Sequence, residues 1–215
     1  MRRLLITGAG KAAQACIEHL SKLNHNFTIT VLRAPGGRDE LACSNDAFRR
    51  LEQLGVEVRS GVCVEAIDRH ARVVRGCDGS RTTFDRLVLA AGAANAAIAR
   101  ASGLEVRTGV VLNDFLQTSD AHVYALGEGT EHRGAVYTDP ENIDRQARVL
   151  AAHLAGYVSA PFIGLPCVDS PFGDSPFGDS RTACAALPDA SVRSLLRLAD
   201  QTPAPEDLPA LAGAA

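Results

Sequence analysis

The stretch that most constrains the fold is Leu4-Leu5-Ile6-Thr7-Gly8-Ala9-Gly10-Lys11-Ala12-Ala13. An apolar run ends at two closely spaced glycines and passes directly into helix formers. That order reads as a buried strand, a turn and the first turn of a helix. Gly8 permits the tight turn, Gly10 lets backbone come close to a ligand, and Ala13 is small enough for the helix to pack on the strand. The helix start then offers free N–H groups and the positive end of its dipole to an anion. This is the G-x-G-x-x-G/A pattern in its proper context, and the anion that suits it is a dinucleotide pyrophosphate. Gly8, Ala9, Gly10, Lys11 and Ala12 are the candidate contacts. The competing reading is a structural turn, because any strand–turn–helix unit can carry two glycines.

The elements that follow continue the pattern. Residues Arg3 to Thr7 read as strand one, and Lys11 to Leu23 as a helix with Ala15, Ile17, Leu20 and Leu23 inward. Phe27 to Leu32 is a second strand, rich in β-branched residues, which completes a β–α–β unit. Its tip, Arg33-Ala34-Pro35-Gly36-Gly37, lacks the acid that usually holds a ribose. Arg33 stands where a 2′-phosphate would be met; the plainer reading is a solvated arginine at a strand end. Asn45 to Leu54 reads as a helix capped by Asn45 or Ser44 and ended by Gly55, and Val56 to Arg59 as a strand. Val62 to Ile67, Arg72 to Arg75 and Thr82 to Phe84 form an antiparallel meander. Asp85 to Gly92 is continuously apolar after its first residues, as in a parallel strand buried on both faces. Ala93 to Ser102 reads as a helix, Val110 to Leu112 and His122 to Leu126 as strands. Pro140 to Tyr157 is an amphipathic helix with Ile143, Ala147, Leu150, Ala151 and Leu154 inward.

Beyond residue 158 the character changes. Proline, glycine, serine and aspartate crowd 159 to 182, and Ser170-Pro171-Phe172-Gly173-Asp174 repeats as Ser175-Pro176-Phe177-Gly178-Asp179. The reading is a domain over 1–158, a linker over 159–182, and a short helical tail over 183–215.

With 215 residues, one domain with a real core plus appendages is affordable by size. The net charge of −3 favours no polyanion, which argues against nucleic-acid binding. No apolar run approaches the ~20 residues of a membrane span, and the short Leu4–Ile6 run is no signal segment, so a cytoplasmic, non-membrane protein is expected. The six cysteines, Cys16, Cys43, Cys63, Cys77, Cys167 and Cys184, include no C-x-x-C or C-x-x-x-x-C pair. Ordinary thiols are therefore expected, with no redox disulfide and no metal site. His132 shows no partner that would make it a base, and no catalytic residue is assigned.

Several stretches resemble the FAD-dependent pyridine nucleotide reductases, most specifically the flavin portion of the large subunit of NAD(P)H nitrite reductases. Leu4 to Ala13 is similar to that family's FAD turn, and Leu51 to Val58 with Val64 to Arg69 to its helix, strand and meander. Phe84 to Gly92 resembles "YDRLVLATG", and Asn113 to Glu128 resembles "DDxLxTSDPxIYAVGE". Glu131 to Tyr137 and Gln146 to Gly156 resemble "EHRG-VVY" and "EQARVLAAHLAG". The resemblance covers most of residues 3 to 157.

What it implies is an α/β fold: a Rossmann-like parallel sheet with an antiparallel β-meander, of the FAD-binding type, plus an irregular C-terminal tail. It adds Ala91 and Gly92, small because backbone passes the nucleotide there, and Gly127 with Glu128, whose carboxylate accepts a ribityl hydroxyl. The family carries a whole NAD(P)H domain between its "ATG" and "VGE" strands. Here Gly92 runs directly into Asn95 to Leu104, similar to the family segment after that insertion, so the second nucleotide domain is expected to be missing. Residues 183 to 193 faintly resemble the start of a [2Fe–2S] domain, but Cys184 stands alone there and no cluster is expected. The resemblance implies an FAD-binding oxidoreductase, impaired in hydride transfer or served by a separate electron donor or acceptor protein. The alternatives are a degenerate, non-catalytic interaction module and a single NAD(P)-binding Rossmann domain using Arg33.

Overall fold

The structure, a computed structural model, describes residues 1–35, 45–90 and 92–165, with backbone alone at 45–48 and 92–95. Its centre is a five-stranded sheet in the order β3-β2-β1-β7-β9, parallel throughout. The strands are β1 (Arg2–Thr7), β2 (Phe27–Arg33), β3 (Glu57–Ser60), β7 (Arg86–Leu89) and β9 (Val123–Ala125). Leu4, Leu5, Ile6, Val31, Leu87, Val88 and Val123 are buried in it, as a sheet covered on both faces requires. Chain order reverses direction between β1 and β7, which makes their C-terminal ends the switch point where α/β sheets take ligands.

Helix α1 (Lys11–Ser21) follows β1, and α4 (Pro140–Ala155) packs against it. Small residues make that approach close: Ala12, Ala13 and Cys16 on α1, Ala147 and Ala151 on α4, all buried. His19 Nε2 and Asp144 Oδ1, 2.8 Å apart, join the two helices at their rim. The inward face of α1 is thus Ala12, Ala13, Cys16, Ile17 and Leu20, while the expected Ala15 and Leu23 sit only half-buried at its margins. The helix also stops at Ser21, two residues before Leu23. Ile143 of α4 is likewise marginal, and Gln146 takes the inward place beside Ala147.

Helix α2 (Asn45–Gln53) leads to β3 through Gly55, whose φ of +77° supports the left-handed turn. The meander is present as β4 (Val64–Asp68), β5 (Val73–Gly76) and β6 (Arg81–Thr83), antiparallel in that order. Arg3 and Arg59 reach from the central sheet to Thr83 and Thr82 of β6. Arg3 also holds Asp85 by its backbone N–H at 2.7 Å and by its guanidinium.

Helix α3 (Gly92–Ala101) follows β7 and is succeeded directly by β8 (Val110–Leu112). No second α/β nucleotide unit stands between β7 and β9 among the described residues. A small third sheet, absent from the sequence reading, has the order β11-β10-β8, with β10 at Thr130–His132 and β11 at Ala135–Val136. Packing continues past residue 158: Phe162 is 1% exposed, its N–H donates to the Asp114 carbonyl at 2.8 Å, and Leu165 pairs with the Asn142 side chain. The repeated Ser-Pro-Phe-Gly-Asp segment, the remainder of the linker and the 183–215 tail lie outside the described residues.

Candidate functional site at the switch point

The glycine turn forms where the sequence places it. Gly8 has φ +93°, in the region glycine favours, and its N–H donates to the Leu32 carbonyl at 2.9 Å. Gly10 is the N-cap of α1 in extended geometry. No side chain caps that helix start, and no acid lies in its first turn. By contrast, α4 is capped by Asp139, whose carboxylate accepts the Asn142 N–H at 2.8 Å, and carries Glu141 in its first turn. Of these two helix starts, α1 is therefore the one that can receive an anion; a carboxylate already serves the other.

The second wall is the loop after β9. Leu126 donates its N–H to the Leu89 carbonyl at 3.0 Å, and the chain then turns at Gly127 with φ +96°. A Cβ built at Gly127 would lie 3.4 Å from the Cβ of Ala12. The loop after β9 thus touches the first turn of α1, although β7 stands between β1 and β9 in the sheet. Gln146 of α4 fixes this approach, its Oε1 accepting the Gly127 N–H at 2.8 Å. Thr130 closes the loop from the other side, donating by N–H and Oγ1 to the Gly127 carbonyl.

All the sequence-derived candidates that the structure describes sit along one edge. Gly8, Ala9, Gly10, Lys11 and Ala12 follow β1; Arg33 ends β2; Gly92 begins α3 just beyond β7; Gly127 and Glu128 follow β9. Ala91 lies outside the described residues. Gly8, Ala9 and Gly10 are buried, whereas Lys11 and Glu128 are exposed. Arg33 and Glu128 do not meet. They flank the turn from opposite sides, three strand spacings or about 14 Å apart in the sheet.

Two buried polar atoms at this edge have no partner among the described residues: Thr7 Oγ1, immediately before the glycine turn, and Gln146 Nε2, on the amide that holds Gly127. Unpaired buried donors are costly, and each offers a hydrogen bond to a polar ligand. The sequence reading did not single out either residue. Gln146 had a signal: it occupies the apolar stripe of α4 between Ile143 and Leu150, where a polar residue is out of pattern.

A second polar cluster lies beside the small sheet. His132, 2% exposed, shares a 2.8 Å hydrogen bond between its Nε2 and Asp114 Oδ1. Arg133 donates to both oxygens of the same carboxylate and holds its pKa below the ordinary value. Burial lowers the His132 pKa against the pull of Asp114. Phe162 packs edge-on to His132, with ring centroids 5.1 Å apart. The histidine is thus a packed, hydrogen-bonded core group. Glu131 is also buried and accepts the N–H groups of Thr108 and Gly109. A cleft of about 270 Å³ opens elsewhere, lined by Arg3, Thr28, Thr30, Glu57 and Arg59. Of its arginines, Arg3 is engaged by Asp85 and Arg59 by Glu57, and Arg81 also lines it. Among the described residues no three His, Cys, Asp or Glu side chains gather as metal ligands, and no helix is long and apolar enough to cross a membrane.

Comparison with known proteins agrees with this geometry. Residues 1–152 match the family described as pyridine nucleotide-disulphide oxidoreductase. The assimilatory nitrate reductase electron transfer subunit of Bacillus subtilis is 41% identical over 80 residues, 37% of this chain and 10% of that protein. The nitrite reductase [NAD(P)H] of the same organism is 37% identical over 96 residues, 44% of this chain and 12% of that protein. The matches therefore span about a tenth of these relatives' length. In fold, the chain resembles NADH:rubredoxin oxidoreductase from Clostridium acetobutylicum, with a TM-score of 0.64 at 12% identity over 80% of this chain and 79% of that one. A NAD-dependent persulfide reductase from A. fulgidus gives 0.63, also at 12% identity, over 76% of this chain and 61% of that one. A sequence match over more than two thirds of the chain, on a fold with a glycine turn at the switch point, makes this chain a member of the pyridine nucleotide-disulphide oxidoreductase family.

Proposed function

We propose that the chain is an FAD-binding oxidoreductase domain of the type found in the flavin portion of nitrite reductases. The observation that carries this reading is the contact between the Gly127 loop and Ala12, which sets two backbone turns side by side at the switch point. The α1 N-terminus, with Lys11 beside it, takes the pyrophosphate. Thr7 Oγ1 and Gln146 Nε2 supply the two unsatisfied buried groups at that edge, and Glu128 accepts a sugar-chain hydroxyl. Gly92, at the start of α3, adds a small residue to that edge. FAD supplies the two-electron chemistry when bound, and this chain's residues bind and orient it. With no second α/β unit between β7 and β9 among the described residues, a separate electron donor or acceptor protein serves the chain.

The test is an absorption spectrum of the purified protein before and after incubation with FAD, followed by calorimetric titration with FAD and with NADPH. A flavin spectrum that survives gel filtration is the expected result. A colourless protein that titrates with NADPH alone would instead make it a single NAD(P) domain using Arg33. Silence with both ligands would make it a non-catalytic module.

A further inference from the structure

The meander brings together two cysteines that are distant in sequence. Antiparallel pairing of β4 with β5 sets Val64 opposite Gly76. One step further, the Cys77 N–H donates to the Cys63 carbonyl at 2.8 Å, so these two residues oppose each other as the next pair. Directly opposed residues of an antiparallel ladder project to the same side. A hydrogen-bonded pair has Cα atoms about 5.5 Å apart, within the roughly 4.4–6.8 Å that a disulfide spans. Both side chains are exposed. Hydrogen bonding to the Cys63 side chain, followed by desolvation and the charges of Cys63 and Glu65, raises the Cys77 pKa.

The turn after Cys77 holds it in place. Gly76 donates its N–H to Ser80 and accepts that of Gly79, both at 2.9 Å, and Asp78 Oδ1 accepts the Ser80 N–H at 2.9 Å. The backbone of the pair is thus fixed on both sides without any bond between the sulfurs. Cys16 is no competitor: it is fully buried, and burial pushes its thiol up to about 12.

We propose that Cys63 and Cys77 form a reversible intrachain disulfide site whose co-substrate is an oxidised low-molecular-weight disulfide. The thiolate of one cysteine attacks a sulfur of that disulfide, breaking its S–S bond and releasing one thiol. The other cysteine attacks the resulting mixed disulfide and expels the second thiol. Two protein thiols thereby lose two protons and two electrons, and the small disulfide is reduced to two thiols. The bond staples β4 to β5 at the open end of their ladder. It is independent of the flavin reading and stands whether or not FAD binds.

The experiment uses the full chain carrying Cys43→Ser, Cys167→Ser and Cys184→Ser, equilibrated in glutathione buffers of rising oxidised fraction. Samples are quenched with acid, alkylated, and read by intact mass and peptide mapping. The expected product lacks two hydrogens, carries a Cys63–Cys77 cross-link, reverts with dithiothreitol, and melts at a higher temperature than the reduced protein. Adding Cys77→Ser should arrest the reaction at a single glutathione adduct on Cys63. Two separate adducts on an otherwise unlinked chain, two alkylated thiols at full oxidation, or a link between chains would each overturn the proposal. The same peptide map on the wild-type chain gives the answer if the triple variant folds poorly.

Discussion

Gly127 is the residue on which the geometry of the candidate site can be tested most directly. Its φ of +96° lies where a residue with a Cβ is strained, by about 1–2 kcal/mol. The added Cβ of Gly127→Ala would sit 3.4 Å from the Ala12 Cβ, an ordinary contact, so backbone strain accounts for the whole cost. For a chain of this size that is a fall in Tm of about 2–8 °C. Gly156 is the matched control: its φ is +82° at the end of α4, and a Cβ there meets nothing within 4 Å. Gly156→Ala should therefore lose about as much stability as Gly127→Ala. Valine separates the two sites. Gly127→Val drives methyl groups toward Ala12 and adds about 1–3 kcal/mol of overpacking, whereas Gly156→Val meets open space. Urea denaturation followed by circular dichroism gives the stabilities, and FAD titration gives the binding. The Gly127 variants should lose FAD affinity and the Gly156 variants should keep it. If Gly127→Val melts together with Gly156→Val, the loop after β9 does not rest on α1, and the reasoning fails.

Other perturbations probe the surroundings of the site. Phe162→Ala should cost about 3–5 kcal/mol in urea denaturation, because its buried ring packs edge-on to both His132 and Tyr137; a loss below about 1 kcal/mol would detach residues 159–165 from the core. Asp114→Ala leaves His132 buried with neither ring nitrogen paired among the described residues, since Nδ1 already lacks a partner, and should cost about 1–3 kcal/mol by the same assay. Burial lowers the folded-state pKa of both His132 and His153, so stability should fall as pH drops through about 6.5, where the unfolded histidines take up protons. A His153→Gln variant should flatten that slope in thermal melts across pH 5 to 8. Arg3 holds Asp85 down to about 2 from 3.8; its contribution is complete above the higher value, is lost as pH falls toward the lower, and should vanish from acid titrations of Asp85→Asn.

The sequence made the central sheet legible because β1, β2 and β7 carry apolar runs and its first turn has a steric signature. Leu4 to Thr7 and Leu87 to Leu89 can be buried on two faces, and glycine at 8 and 10 follows from backbone geometry. The small sheet escaped notice for the opposite reason. Thr130, Glu131 and His132 are polar and show no apolar alternation, yet all three are buried: backbone groups pair with Thr130 and Glu131, and the Asp114 carboxylate pairs with His132 Nε2. One local sign was present: Arg133 and Gly134, both at positive φ, make the two-residue turn that joins β10 to β11. The facing of Cys63 and Cys77 could not be read from spacing, since it depends on the register across β4 and β5.

The route from β7 to β9 explains how the glycine-turn edge closes with no second α/β unit between these strands among the described residues. Parallel neighbours need a crossover, and here α3, β8 and the loop before β9 supply it within residues 92–122. Strand β9 then pairs with β7 in register, Leu87 with Val123 and Leu89 with Ala125. That register delivers Gly127 to the same edge as Gly8, and α4 returns to pack on α1 and hold both. Nothing in this circuit depends on a further domain inserted after Gly92. An unrelated α/β domain spliced into that position should therefore leave the melting of the sheet and the affinity for FAD unchanged. Loss of either on insertion would mean that the crossover through α3 is itself part of the cofactor edge.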